Sequence, residues 1–502
     1  MNLLAACALI GARPITYAES GTWLANPTNN DWNTAANWSS NQVPNTSTDI
    51  GTFEGSTITQ LSISQNVTLG TVAFNPGASS YGIATLPDVG LTFYGAGVVN
   101  TSGVQQNFVA GVDQMGHGGG FAFASGTAGS LVNFTLEPRT TLDGTPGGVQ
   151  FDLGATAGSA TFHTLGGVID GGDGGYVAFY HTASAADCTI INDGGSVSGA
   201  LGGYTFFLLA RPSAGNATII ANGGVSGAGG GVIQFKDGST GGTARLELFG
   251  NGSMDMSDHI GASLTLGSLE GDGSAYLGRG MLIVGSNNLS TAFSGVLYPG
   301  SPAGDSGSGA LTKIGTGTLT LSGANLYTNG TAVSAGTLVI SNTNGSGTGT
   351  AAVSVNAGTL GGKGIIAGAV TIGTGSGAGA FLAPAHGTKQ EASLTSLSGL
   401  TFKSDSTYTC TFKAKGNKAR ADKVIANGVT INSGATFNFS GQVQGHLRQG
   451  LILTVISNTS ANPTSGTFSN LSEGAILMVS GNNFQASYEG GDGNDLTLTL
   501  VP

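Results

Sequence analysis

"TAGSLVNFT" (Thr127–Thr135), "TAGSATFHT" (Thr156–Thr164), "AADCTIIN" (Ala185–Asn192), "AGNATIIA" (Ala214–Ala221) and "GGTARLEL" (Gly241–Leu248) are variants of one phrase, and they begin 29, 29, 29 and 27 residues apart. A second marker keeps the same beat. Glycine pairs ending at Gly148, Gly175, Gly203 and Gly231, each followed by a short apolar or aromatic run ("VQF", "YVAFY", "YTFFLL", "VIQF"), are spaced 27, 28 and 28. Each unit offers at least two short strands between Gly, Asn, Asp and Ser turns, which is too little to bury an apolar face alone. Stacking the units solves that problem, with one unit per coil and neighbouring coils about 4.8 Å apart. Val, Ile, Leu, Phe and Ala then point inward, while Thr, Ser, Asn and Gly take the turns and the outer face. The chain therefore reads as all-β: a right-handed parallel β-helix (β-solenoid) with capping segments at both ends. A β-propeller would ask for about 40–50 residues per blade, which the period does not supply.

Composition agrees with strands. Glycine contributes 89 of 502 residues and charged residues only 9%, yet 39% are hydrophobic, so a core can be buried. Glycine costs roughly 1 kcal/mol per helical position relative to Ala, which argues against helices. A net charge of −11 with 16 Lys+Arg argues against a nucleic-acid surface, which needs clustered cations. The one basic cluster, Lys413, Lys415, Lys418, Arg420 and Lys423, lacks interleaved aromatics and reads as a solvated loop. Cys188 and Cys410 sit in apolar or alternating runs ("DCTII", "TYTCTF") and read as packed thiols.

From Gly307 a second register of short alternating strands begins: "GTLTLSG", "TAVSAGTLVIS", "AAVSVNAGTLGG" and "GAVTI". Gly309–Gly361 closely resembles the autotransporter-associated β-strand repeat. "GTWLANPTNNDWNTAANWSSNQVPNTSTDIGTFEG" (Gly21–Gly55) is similar to the N-terminal segment of large exported repeat proteins, and "GTFSNLSEGAILMVSGNNFQASYEGGDGNDLTLTLVP" to their C-terminal one. The resemblance implies a parallel β-helix on the bacterial outside, and it implies no chemistry. After Gly307 too little sequence remains for both these repeats and the translocator barrel of classical autotransporters.

The expected organisation is a signal peptide at 1–19, an N-terminal cap and first coils at 20–126, and a β-helix of about 28-residue coils at 127–306. Autotransporter-associated repeats follow at 307–387, and a C-terminal β-strand and capping segment at 388–502. No run approaches 18 uninterrupted apolar residues, so no membrane-spanning segment is expected.

Parallel β-helices also carry polysaccharide lyases and hydrolases, which need acidic residues stacked on adjacent coils with a partner acid or a cation. Aligned by the glycine pairs, Asp143 and Asp170 share one offset, and Asp173 joins them from the turn. These three form the acidic stack of an enzyme alternative; the bland reading is that each aspartate caps a turn. Trp23, Trp32 and Trp38 lie within sixteen residues and read as carbohydrate contacts or as a cover for the open first coil. The histidines fall in unrelated contexts, and "GDSGSG" (Gly304–Gly309) lacks a His and Asp framework. "GGDGNDLTL" (Gly490–Leu498) has the lettering of a calcium-binding turn but no stacked neighbour, and reads as a glycine turn delivering the last strand.

The function expected is that of an exported structural or adhesive β-helix protein, secreted or on the bacterial cell surface, with no catalytic residue, metal or cofactor. The alternative is a polysaccharide-binding or polysaccharide-degrading protein on the same scaffold. Glycans or other cell-surface polymers are the expected partners, and nucleic acid is not.

Overall fold

The computed structural model describes residues 20–377, 379–386, 392–415 and 418–502; the segment read as a signal peptide lies outside them. Among the described residues the elements are strands, with a single three-residue 3-10 turn at Ala35–Asn37. Parallel pairing dominates, as stacked coils require. Gly120, Gly148, Tyr176, Tyr204 and Val232 are successive partners in one ladder, each 28 residues after the last. Asn133, Thr161, Thr189, Thr218 and Arg245 are successive partners in a second. Single parallel bridges from Thr127 through Thr156, Ser184, Ser213 and Thr240 tie a third side of each coil.

The second ladder runs unbroken from Gln60–Ile63 to Thr436–Gln444 and is open at both ends, so it is a spine and not a barrel. The first ladder has twelve strands and ends at Val296–Tyr298. The coil shortens beyond Val232, whose partner Ser253 follows after only 21 residues. A further eight-stranded ladder opens at Ser263–Leu266 and closes at Val429–Ile431, carrying one side of these tighter coils.

Alternation puts every second side chain inside. The parallel register then lays identical residues on one another. Phe93, Phe123, Phe151, Phe179, Phe207 and Phe235 form a buried column with ring centroids 4.6, 4.8, 5.0, 4.9 and 4.9 Å apart, all within 16° of parallel. Such pairs add about 0.5–1.5 kcal/mol each beyond the area they bury. Buried Asn192 is satisfied between coils. The Asn192 carboxamide oxygen accepts from the Thr164 and Thr205 hydroxyls, both at 2.9 Å, and its nitrogen donates to the Ile220 carbonyl at 3.2 Å. Lys313 is buried at a corner, where Nζ donates to the carbonyls of Ile314 (2.5 Å), Gly315 (3.2 Å) and Ala335 (3.4 Å). Cys188 and Cys410 are free and buried, as their runs suggested.

The two ends are built differently. At the N-terminal end Trp23, Trp32 and Trp38 meet edge-on, with Trp23–Trp38 at 5.3 Å and Trp32–Trp38 at 4.7 Å, and all three lie over Phe53. They are at most 1% exposed, so the expected carbohydrate contact is corrected: their ring faces are spent on the core, and no sugar can reach them. Gly51 permits this approach, because a Cβ there would stand 2.9 Å from the Trp32 ring. At the C-terminal end parallel stacking gives way to an antiparallel sheet of Ile452–Asn458, Asp495–Val501, Asn482–Gly490 and Ile476–Val479. "GGDGND" is its hairpin turn, in which Gly490 pairs with Asp495 and the Asp495 carboxylate accepts from the Asn458 amide at 2.9 Å.

Candidate functional site

The outer face of the twelve-stranded ladder carries what the core-facing alternation leaves out. Tyr176, Tyr204 and Val232 are successive outward neighbours, followed by Ser253. Tyr204 lies on Tyr176 with ring centroids 5.7 Å apart and 10° between planes, and the Tyr176 hydroxyl accepts a 2.8 Å hydrogen bond from Gln150. The outward stack stops at Tyr204, because the next coil offers a valine and the one after it a serine. Phe206, two residues along the strand, tilts against Tyr204 at 4.7 Å. The step down from ring to valine leaves a groove of about 450 Å³.

Two aromatic rings, Tyr204 and Phe206, line it together with Val232, the polar side chains of Ser253, Gln234, Asn251 and Asp173, and glycine backbone. Asn251 is already committed, donating to the Ala228 carbonyl and accepting from the Gly224 amide. Asp173 pairs with Arg139 at 3.1 Å, and Arg139 also donates to the carbonyls of Gly171 and Leu142. Burial raises the Tyr204 phenol above its ordinary range, with the Asp173 carboxylate adding to the effect, so this hydroxyl stays neutral and can donate. A ring face beside carboxamide and hydroxyl groups suits an uncharged ring ligand rich in hydroxyls.

The acidic stack of the enzyme alternative is not assembled. Gly148 is the partner of Tyr176, so Gly147 and not Gly148 is equivalent to Gly175, and the alignment that matched Asp143 to Asp170 is one residue out. Asp143 instead corresponds to Gly171. Asp143 and Asp170 are exposed, and the Asp170 carboxylate sits against Gly199 of the following coil. Only Asp173 reaches the groove, where Arg139 holds it. Glycoside hydrolysis uses two facing carboxylates, and these three aspartates do not provide them.

A second groove, about 460 Å³, is lined by Asp258, His259, Arg279, Asp305 and Ser306, and so brings the "GDSGSG" serine near a histidine. The two are not coupled. Both His259 ring nitrogens face carbonyls, Ser239 at 2.8 Å and Gly261 at 3.2 Å, and Asp258 pairs with Lys236 at 3.1 Å. Other histidines pair with acids or a hydroxyl: His163 with Asp193 and His181 with Asp152, both at 2.5 Å across coils, His117 with Asp113 and Asp88 at 3.5 and 3.6 Å, and His386 with the Thr337 hydroxyl at 3.4 Å. Among the described residues no group of three or more His, Cys, Asp or Glu gathers as a metal site would require, and no helix is long and apolar enough to cross a membrane.

The aromatic groove escaped the sequence reading. Its signal was present as Tyr176 and Tyr204, one period apart and at outward parity, but glycine spacing drew attention to the turns.

Comparison with known proteins identifies one segment. Residues 311–340 match the passenger-associated-transport-repeat. No curated protein matches the chain. Among solved structures it is similar to the crystal structure of the Haemophilus influenzae Hap adhesin, with 11% identity, a TM-score of 0.28, and coverage of 93% of this chain and 65% of that one. The chain thus spans less than two thirds of the adhesin chain it matches. Within this chain, residues 311–340 thus form a segment similar to the passenger-associated-transport-repeat.

Proposed function

We propose that this is an exported, non-catalytic β-solenoid of the bacterial surface or surroundings, an adhesive rod whose ligand is a glycan held in the Tyr204–Phe206 groove. The observation that carries this reading is the open end of the outward stack: Tyr204 has one ring face against Tyr176 and the other over Val232, beside Phe206 and Gln234. A half-buried aromatic pair next to a free carboxamide suits the apolar side of a pyranose and its flanking hydroxyls. Gln234 and Ser253 make no other side-chain hydrogen bond among the described residues, so both can turn to a ligand. Export is supported by the matched repeat, which is named for passengers that are transported.

A glycan array combined with a polysaccharide-degradation screen tests this reading. Retention of neutral glycans without product release is expected, with retention at least tenfold weaker in Tyr204→Ala. Release of oligosaccharides would make the protein an enzyme and overturn the proposal.

A further inference from the structure

The basic cluster that reads in sequence as a solvated loop is folded. Ser406–Lys415 pairs antiparallel with Lys418–Ala421 and parallel with Thr436–Gln444, extending the spine into a three-stranded flap. Alternation sorts its two faces. Phe412, Ala414, Phe437 and Phe439 pack inward against Phe484 and the core, while Lys413, Lys415, Lys418, Arg420, Gln442 and Gln444 are exposed on the other face. Four of the chain's 16 cations thus share one face, and none of the three strands contains an acid, although acids outnumber cations 27 to 16 overall.

The register makes the arrangement costly. Lys413 is directly opposite Arg420, and Lys415 directly opposite Lys418. Like charges at directly opposed positions have Cβ atoms about 4.5–5.5 Å apart and destabilise the pairing. A solubilising surface would interleave signs; this one repeats a single sign twice in register. The six exposed side chains also line a groove of about 270 Å³, with two carboxamides along one wall.

We infer that this face is a binding site for a linear acidic polysaccharide, whose carboxylates or sulfates sit between the opposed cations while Gln442 and Gln444 meet its hydroxyls. Anions in the groove cancel both repulsions at once. Lys413 and Lys415 repeat along the strand at about 6.7 Å, so the site tracks an extended polymer and not a point charge. Nucleic acid is disfavoured, since no aromatic ring lies on this face to stack bases. A lipid surface is disfavoured too, because the face offers no apolar side chain to enter it. This site is separate from the Tyr204 groove and survives if the neutral-glycan reading fails.

The test is binding of the full chain to polygalacturonate and to dextran sulfate, with dextran, phosphatidylglycerol vesicles and single-stranded DNA in parallel. The expected result is retention by both acidic polysaccharides, weakened at least tenfold between 50 and 200 mM salt as about four contacts release counterions. The variant K418E/R420E converts both opposed pairs to opposite charges. It should keep or raise the unfolding temperature while losing acidic-polysaccharide binding at least tenfold, and Tyr204→Ala should leave that binding unchanged. Absence of binding in the native protein, undiminished binding in K418E/R420E, or stronger binding to vesicles or DNA than to either polysaccharide would overturn the inference.

Discussion

Tyr204 rests on Tyr176, its centroid 5.7 Å away and its plane tilted by only 10°, although 28 residues of chain separate the two. The solenoid register creates that contact, and it also fixes where the contact ends. Truncating Phe206 tests the open side without disturbing the Tyr176 stack. Phe206→Ala is expected to weaken glycan retention about tenfold, or about 1.4 kcal/mol, with little change in unfolding temperature, because Phe206 faces outward. Calorimetric titration beside a thermal melt separates the two effects.

The inward column should respond in the opposite sense. Phe179 is fully buried between Phe151 and Phe207 at 5.0 and 4.9 Å. Phe179→Ala is expected to cost about 3–5 kcal/mol, seen as a lower guanidinium midpoint. Retention of glycans below the transition should be unaffected.

Lys313 gives the fold a pH dependence above neutrality. Burial pushes its amine down to about 8 from the usual 10.5. Between those values the unfolded chain holds a proton that the folded chain has released, so this residue makes stability rise with pH across that window. Below pH 8 the amine is charged in both states and the full cost of burying it is present. Lys313→Met is expected to flatten the slope of unfolding midpoint against pH between 8 and 10. An unchanged slope would remove Lys313 from the account.

The thiols make a simple check on packing. Cys188 and Cys410 are buried, and desolvation pushes both up, away from the reactive thiolate. Neither is expected to react with a thiol-specific disulfide reagent in the native protein at pH 8, and both should react in denaturant.

Strands, their inward residues and the coil period were legible in the sequence because burial repeats with the fold. "TFHT" and "TIIN" announce their own alternation, and Thr161 does pair with Thr189. Register was legible only to within one residue. Glycine pairs mark turns, and turns accept a glycine at neighbouring positions, so Gly148 and Gly175 looked equivalent when Gly147 and Gly175 are. That slip created a column of aspartates the structure does not contain. The tryptophans show a second limit: clustering in sequence signals a shared site, but it does not say whether the rings face water or Phe53. The cationic flap was hidden for a related reason, since opposed Lys413 and Arg420 are seven residues apart and meet only through a hairpin.

Filling the groove from within the protein shows whether the ligand sits there. Val232 occupies the position that would continue the Tyr176–Tyr204 stack, so Val232→Tyr supplies from within the protein the ring the groove is proposed to accept from a ligand. The measurement is the affinity of native protein and Val232→Tyr for the glycan best retained on the array. At least a tenfold loss of affinity is expected in the variant, with an unfolding temperature equal to or above that of the native protein. Equal affinity in a folded Val232→Tyr protein would contradict it and place the ligand elsewhere on the solenoid.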